Sequence, residues 1–266
     1  MADPRLQGEA VRTFAGCGIQ PETQAELLAQ LLPRLQAGER RLLVGHHNLH
    51  SLYLCQRDTR VRDFYRQCCR CYVDGVPVLW LLRGAGLDLR GASRFSFMDN
   101  LPALFDAAQS RGLRVFYLGS APEVVARAER WVARAWPQLA AGFHHGYFDS
   151  RDEAGDSRAV IDTINAFRPD LLLVGMGMPR QEAWVLAHRQ ALDAGAILQA
   201  GGTLDYYTGA QARPPERWSR LGFGWLYRLL HDPRRLWRRY LVTPWALLGP
   251  WWRLRRDLRR VAPGAD

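Results

Sequence analysis

The sequence predicts an α/β fold built on a mostly parallel sheet flanked by helices, with a helical segment appended at the C-terminus. Three observations lead there. Short apolar runs alternate with amphipathic stretches through the middle of the chain, the pattern of right-handed strand–helix–strand crossovers. Apolar residues make up 48% of the 266, enough for a substantial core and too many for a disordered chain. After Ala212 the composition shifts: Arg213-Pro214-Pro215 reads as a linker, and the residues beyond it are rich in arginine and tryptophan. The chain thus divides into a core, residues 1–212, and an appendage, residues 213–266.

The first forty residues read as a leader and a helix, Pro21 to Gln36. Arg41–Val44 is a short apolar strand that ends in His46-His47-Asn48, and a helical stretch runs from there to Arg70. Cys71-Tyr72-Val73 is a second strand, stopped by Asp74-Gly75, with helices next at Val76–Leu82 and Phe97–Ser110. Arg114–Leu118 is a strand, Gly119-Ser120 a turn, and Pro122–Trp136 a helix. Proline is tolerated in that first turn because its missing N–H would be unpaired there anyway. Leu139–His144 and Leu171–Val174 are strands on either side of a helix at Arg158–Phe167. Gly175-Met176-Gly177 then turns into a helix, Pro179–Leu192, and Ala196–Ala200 is the last core strand.

All 36 basic residues are arginine, and the formal charge is +10. A GC-rich genome produces such a composition, yet it also supplies groups that grip phosphate through a two-pronged fork. Ten arginines lie between Trp225 and Arg260, against only Asp232 and Asp257. That imbalance points the segment at nucleic acid or an anionic membrane surface. The longest uncharged run there, Tyr240 to Trp252, holds Pro244 and Pro250. It is shorter than the roughly 18–20 apolar residues of a spanning helix. Trp245, Trp251 and Trp252 border the run as an interfacial helix would arrange them. At the N-terminus Asp3, Arg5, Glu9 and Arg12 interrupt any apolar signal core. Cys68, Cys69 and Cys71 cluster while Cys17 and Cys55 stand alone, which is not a disulfide pattern. The Cys68–Cys71 spacing suits a metal, but no second pair completes four ligands, so these read as thiols of a reducing cytoplasm.

In a parallel sheet, ligands bind beyond the carboxyl ends of the strands. That singles out His46–Asn48, Asp74-Gly75, Gly119-Ser120 and Gly175–Gln181. Asp74, at a strand end, is placed to accept the proton of an attacking hydroxyl, or simply to make an Asp-Gly turn. Gly177 opens a helix whose free N–H groups favour phosphate, or marks an ordinary strand-to-helix turn. Gly175-x-Gly177 lacks the third glycine and the acidic partner of a dinucleotide fingerprint, which argues against a nucleotide-dependent oxidoreductase.

A longer series stands in order along the chain. It runs Asp74-Gly75-x-Pro77, Leu118-Gly119-Ser120-x-Pro122, Gly146-Tyr147-Phe148, Pro169-Asp170 and Gly175-x-Gly177-x-Pro179-Arg180-Gln181-Glu182. Then come Gly201-Gly202-x-x-Asp205-x-x-x-Gly209, Arg213-x-Pro215, Trp225-Leu226-Tyr227-Arg228 and Pro233-Arg234-Arg235-x-x-Arg238-Arg239-Tyr240. This series resembles the WecG/TagA/CpsF family, glycosyltransferase family twenty-six, from about Leu42 to Tyr240.

The resemblance implies a Rossmann-like core, to which the basic, tryptophan-bordered C-terminal segment would add a helical membrane-binding appendage. It implies an inverting, metal-independent transfer of a sugar, of N-acetylmannosamine type or another hexose, from a UDP-sugar to a polyprenyl-diphosphate-linked sugar, in cell-surface or exopolysaccharide synthesis. By resemblance Asp74 is the base, Asn48 its neighbour, and Gln181 the glutamine of the Pro-Lys-Gln-Glu motif. Tyr147 and Asp205 fall at the uridine end, and Arg228, Arg235 and Arg238 on the arginines that meet the diphosphate. No Asp-x-Asp metal pair is present, so fixed arginines would offset the leaving charge, with no cofactor. His46, Arg94, Gly119, Ser120 and Gly177 complete the expected substrate-binding set. The chain departs from the family at His46, where threonine is usual; at Ser96-Phe97-Met98-Asp99, in place of a Thr-Gly-Ser-Asp run after Arg94; and at Gly224, where glutamate is usual. Expected partners are the donor, the lipid-linked acceptor, an anionic membrane on its cytoplasmic face and a second copy of the chain, with no nucleic acid. The alternative is a non-catalytic membrane- or nucleic-acid-binding protein acting through its basic tail.

Overall fold

A computed structural model describes residues 12–20, 22–87, 89, 96–152 and 155–261. A six-stranded sheet carries the fold. Its strands are β3 (Leu42–His47), β4 (Arg70–Val73), β5 (Val115–Gly119), β6 (Ala141–His144), β7 (Leu171–Gly175) and β8 (Ala196–Gln199). Their order is β4-β3-β8-β7-β5-β6, and the pairs β3–β8, β8–β7, β7–β5 and β5–β6 are all parallel. The sheet is that of the predicted α/β class. Every residue of β5 and β7 is buried, the mark of strands covered on both faces, and this is why they read as unbroken apolar runs.

The chain forms two compact units. One gathers Gln24–Gly45 and Phe97–Gln211. It contains α1 (Gln24–Gln36), α5 (Phe97–Ser110), α6 (Pro122–Ala135), α7 (Asp156–Phe167), α8 (Arg180–His188) and α9 (Thr203–Tyr207). Here β5 hands the chain through α6 to β6 on one side, and β7 hands it through α8 to β8 on the other. The sheet therefore has a topological switch point between β5 and β7, the place where ligands enter open α/β sheets. The register puts Gly119 opposite Gly175 at that point.

The other unit gathers Met1–Thr23, His46–Ser96 and Ala212–Asp266. Its α2 (Leu49–Arg57) and α3 (Thr59–Gln67) correct the single helical stretch expected to reach Arg70. Asp58 divides them: its side chain accepts the Arg60 N–H at 2.9 Å and caps α3, so an amphipathic run is cut where a carboxylate competes for a backbone donor. Within the expected leader, residues 12–19 form a hairpin, β1 (Arg12–Phe14) and β2 (Cys17–Ile19), and the rest of that reading, residues 1–11, lies outside the described residues. Ala15 and Gly16 have φ of 55° and 80°, the two positive values of a turn whose twist matches its strands, and Phe14 and Ile19 are buried. His46 and His47 lie inside β3 and are buried, where a strand ending at Val44 was expected. α4 (Val76–Ala85) ends at Gly86, whose φ of 102° suits glycine.

The same unit holds α10 (Glu216–Arg220), α11 (Gly224–His231), α12 (Pro233–Trp237) and α13 (Leu248–Val261). Between the last two, Arg238–Val242 winds as a π-helix and Thr243–Leu247 as a 3-10 helix. α13 packs on α4, and Trp251 Nε1 donates to Leu81 O at 2.8 Å. Leu236 and Leu247 are buried, whereas Trp237, Leu241, Val242, Trp245, Leu248 and Trp252 are exposed. Among the described residues, no helix is long and apolar enough to cross a membrane.

Candidate active site

The unit containing β4 brings three of the expected site residues together. Asp74 comes directly after β4, and its N–H donates to His47 O at 3.0 Å, which pins the strand end. Its carboxylate is about a quarter exposed and lies 3.8 Å from His46 Nε2, while the His46 ring is nearly buried. The Tyr65 hydroxyl donates to His46 O at 2.9 Å, and the Tyr72 ring packs 5.7 Å from the His46 ring. Burial, then the neighbouring Asp74, pushes the Tyr72 phenol well up, so it stays protonated. Asn48 caps α2, and Gly75 lies against it: a Cβ at position 75 would stand 3.5 Å from the Asn48 Cβ.

Next to these lie two more imidazoles, the buried His47, which falls within the strand end singled out from the sequence, and the half-buried His50, which sequence reasoning did not single out. His47 is fully buried, with Nε2 3.1 Å from Gly18 O and Nδ1 3.2 Å from Ser51 Oγ. Burial, then the charge of His46, lowers its pKa to about 3. Burial, then the Arg239 guanidinium, lowers His50 to about 4. Arg239 of the π-helix is thus close enough to α2 for its charge to be felt there.

The other expected arginines stand on separate segments. Arg228 lies in the last turn of α11 and is half-buried; the helix stops at Asp232 and α12 starts at Pro233, the break that this proline led one to expect. Arg238 opens the π-helix, exposed, with its guanidinium 5.2 Å from the Trp237 ring centre. Arg235 lies in α12, its side chain outside what the structure describes, and Arg94 lies outside the described residues altogether.

In the second unit, Gly119, Ser120, Tyr147, Gly177, Gln181 and Asp205 cluster around the switch point. A Cβ on Gly119 would overlap Gly175 O, and one on Gly175 would overlap the Tyr117 hydroxyl, so the two strands close to backbone contact. Ser120 has a φ of 59°, a left-handed conformation that side chains seldom adopt, and its O accepts the Gly146 N–H at 2.9 Å. The Tyr117 hydroxyl donates to Gly201 O at 2.9 Å. Burial above all raises its pKa, the neighbouring Ser120 hydroxyl lowers it somewhat, and the Asp205 charge raises it; Ser120 and Asp205 thus both lie near this phenol. Asp205 accepts from Gln211 at 3.2 Å.

After Gly177, with φ of 81°, α8 begins and Gln181 and Glu182 turn inward. Gln181 Nε2 donates to Glu182 Oε1 at 2.9 Å, and Gln199 Nε2 donates to the same oxygen. Gln181 is thus part of a buried polar row. Tyr147 is 71% exposed at the rim of an open cleft of about 660 Å³, lined also by Phe148, Asp149, Ser150, Arg151, Asp156 and Arg180. Arg180 donates to Phe148 O and to Ser150 Oγ and lies over the Phe148 ring. It fixes the Tyr147 loop. Its place in the Pro-Arg-Gln-Glu run was visible in the sequence, but its partners were not.

Among the described residues, no group of three or more His, Cys, Asp or Glu side chains is gathered for a metal ion. Cys68 ends α3, with Sγ 3.4 Å from Phe64 O, and Cys71 lies in β4.

Known proteins are similar to this sequence. One is an N-acetylglucosaminyldiphosphoundecaprenol N-acetyl-beta-D-mannosaminyltransferase of Staphylococcus aureus strain MW2, 36% identical over 196 residues that cover 74% of this chain and 71% of that one. Enzymes of the same description from strains NCTC 8325 and MRSA252 are 36% and 35% identical over equal spans. With a parallel α/β sheet and ligand-type strand ends already in place, these relatives define the chain as a glycosyltransferase. It belongs to the glycosyl transferase WecG/TagA/CpsF family, whose sequence model matches residues 12–261.

Proposed function

We propose that this enzyme transfers N-acetylmannosamine, or a closely related hexose, from its UDP conjugate to a polyprenyl-diphosphate-linked sugar, with inversion and without a metal. The observation that carries the reading is Asp74, a partly exposed carboxylate fixed at the end of β4 with an imidazole 3.8 Å away. The acceptor hydroxyl gives its proton to Asp74 as its oxygen bonds to the anomeric carbon. The bond from that carbon to the diphosphate breaks, and UDP leaves with the electron pair. Arg228, Arg235 and Arg238 offset the charge that grows on the diphosphate, an electrostatic task that fixed donors perform without reorganising. Tyr147 and Asp205 take the uridine end; His46, Asn48, Arg94, Gly119, Ser120, Gly177 and Gln181 hold sugar and phosphate oxygens. The exposed aromatic and aliphatic side chains from Trp237 to Trp252 rest on the inner face of the membrane, where the acceptor lipid is anchored.

The test supplies UDP-N-acetylmannosamine and vesicles carrying undecaprenyl-diphosphate-N-acetylglucosamine, with chelator present. Transfer should proceed in EDTA. Asp74→Asn should keep its fold and its UDP affinity and lose about 10²- to 10⁴-fold in rate, the usual span of general-base catalysis. Near-normal turnover by a folded Asp74→Asn protein removes Asp74 from the chemistry, and turnover that needs added magnesium or manganese overturns the metal-free step.

A further inference from the structure

Asn48 serves both as the start of α2 and as the neighbour of the Asp74-Gly75 strand end. As a helix cap it turns its Oδ1 inward, accepting the N–H of His50 at 3.0 Å and of Ser51 at 3.1 Å. Ser51 answers: its Oγ takes the Asn48 N–H at 2.9 Å and lies 2.8 Å from Asn48 O. An amide whose oxygen is committed to a helix start has its nitrogen left to offer elsewhere.

His47 backs this arrangement. Its Nε2 faces the Gly18 carbonyl, which can only accept, so Nε2 carries the proton. The buried ring stays neutral, which leaves Nδ1 bare toward Ser51 Oγ at 3.2 Å. Gly18, His47, Ser51 and Asn48 thus form one chain of contacts from the hairpin to the strand end, and His47 and Ser51 are both completely buried.

We propose that His47 and Ser51 are positioning residues that hold Asn48 as a donor-only contact, its amide N–H groups meeting a lone-pair oxygen of a sugar substrate beside Asp74. The proposal rests on the Asp74 region being the site of transfer. Such an amide binds a hydroxyl, carbonyl or phosphate oxygen and cannot accept from an N–H.

Cap-preserving substitutions separate structure from function, because aspartate and serine begin helices as well as asparagine. Asn48→Asp and Asn48→Ser should therefore melt close to wild type, yet lose 10- to 100-fold in kcat/KM with UDP-N-acetylmannosamine and the lipid-linked acceptor. Ser51→Ala, assayed where it is fully folded, should lose at least fivefold although Asn48 is intact. Ser51→Thr should restore the rate, and Ser51→Ala should add nothing in an Asn48→Ser background. Should Ser51→Ala be too unstable, His47→Gln reads the same link, since its amide replaces Nε2 and leaves nothing at Nδ1. Wild-type rates in Asn48→Asp and Asn48→Ser overturn the donor contact, while the Asp74→Asn result reports separately on the transfer site. Loss in Asn48→Ser with wild-type rates in folded Ser51→Ala and His47→Gln overturns the positioning roles alone.

Discussion

The imidazole of His46 stands 3.8 Å from the carboxylate of Asp74, Nε2 to Oδ2. That is too long for a hydrogen bond and short enough for charge to be felt. Of the described groups beside His46, the Tyr72 phenol is held protonated, the Tyr65 hydroxyl donates to the His46 carbonyl, and His47 is neutral. His46→Gln keeps polar bulk and removes a ring that can carry a proton. Turnover should fall about fivefold, as the loss of about 1 kcal/mol from a partly exposed charge contact would give, with little change in the KM for UDP-sugar. An unchanged kcat would falsify the role.

The C-terminal segment supports two separable measurements. Trp245 and Trp252 are 71% and 60% exposed, so Trp245→Ser with Trp252→Ser should leave the melting temperature near wild type and weaken sedimentation with anionic vesicles. Trp251 is different, because its indole is tied to Leu81 O and its α13 covers α4. Shortening the chain to end near Arg217 removes that cover and the buried Leu236 and Leu247, at about 1.5–3 kcal/mol for each fully buried large side chain. The shortened protein should be markedly less stable; equal stability in urea would show that this packing contributes little.

Acid should unfold the protein through His47 and His50. Both are held neutral, at about 3 and about 4, against 6.5 in an open chain. Between pH 6.5 and those values the unfolded chain binds protons that the folded one does not. Their contribution is therefore complete above pH 6.5 and is lost as the pH falls, at up to about 1.4 kcal/mol per pH unit for each ring. Urea denaturation at pH 7.5 and 5.0 should show a clear drop in stability, and a smaller one in His50→Gln. Equal drops in the two proteins would mean that His50 is not held neutral.

Two glycines of one strand-to-helix turn should respond differently. A methyl on Gly175 meets the Tyr117 hydroxyl and the Gly201 carbonyl, neither of which can give way cheaply. A methyl on Gly177 meets nothing within 4 Å and costs only its φ of 81°. Gly175→Ala should destabilise by about 2–4 kcal/mol and Gly177→Ala by about 1 kcal/mol. Equal melting temperatures for the two variants would contradict the close approach of β5 and β7.

Much of this is legible from composition and period. Phe97–Ser110 reads as a helix to the residue, because its apolar face repeats cleanly, and β5 and β7 announce themselves as unbroken apolar runs. The rule that ligands meet strand ends points to Asp74 and to Gly119-Ser120, because strand ends are marked by local residue types. The hairpin at Arg12–Ile19 escapes such reading because three-residue strands show too little alternation, and Ala15 gives no hint of a positive φ. The break at Asp58 is hidden inside a continuous amphipathic period, though an aspartate before Thr59 is a cap signal. The bonds from His47 to Gly18 and from Trp251 to Leu81 join residues far apart in the chain, and no local pattern encodes them.

The parting of the chain at β5 and β7 bears on how such an enzyme can change its preferences. The segments leaving these two strands head toward opposite edges of the sheet, so neither has to fill the gap between them. The loop from Gly146 to Arg151 borders an open cleft and is held from outside the sheet core by Arg180, which bonds Phe148 O and Ser150 Oγ, and by Asp156, which takes the Asp149 N–H at 2.9 Å. On the proposed reading, in which Tyr147 meets the donor, residues there can be exchanged and a different nucleotide-linked sugar admitted while the strands beneath keep their register. Selection can thus act on recognition and on folding as nearly independent traits.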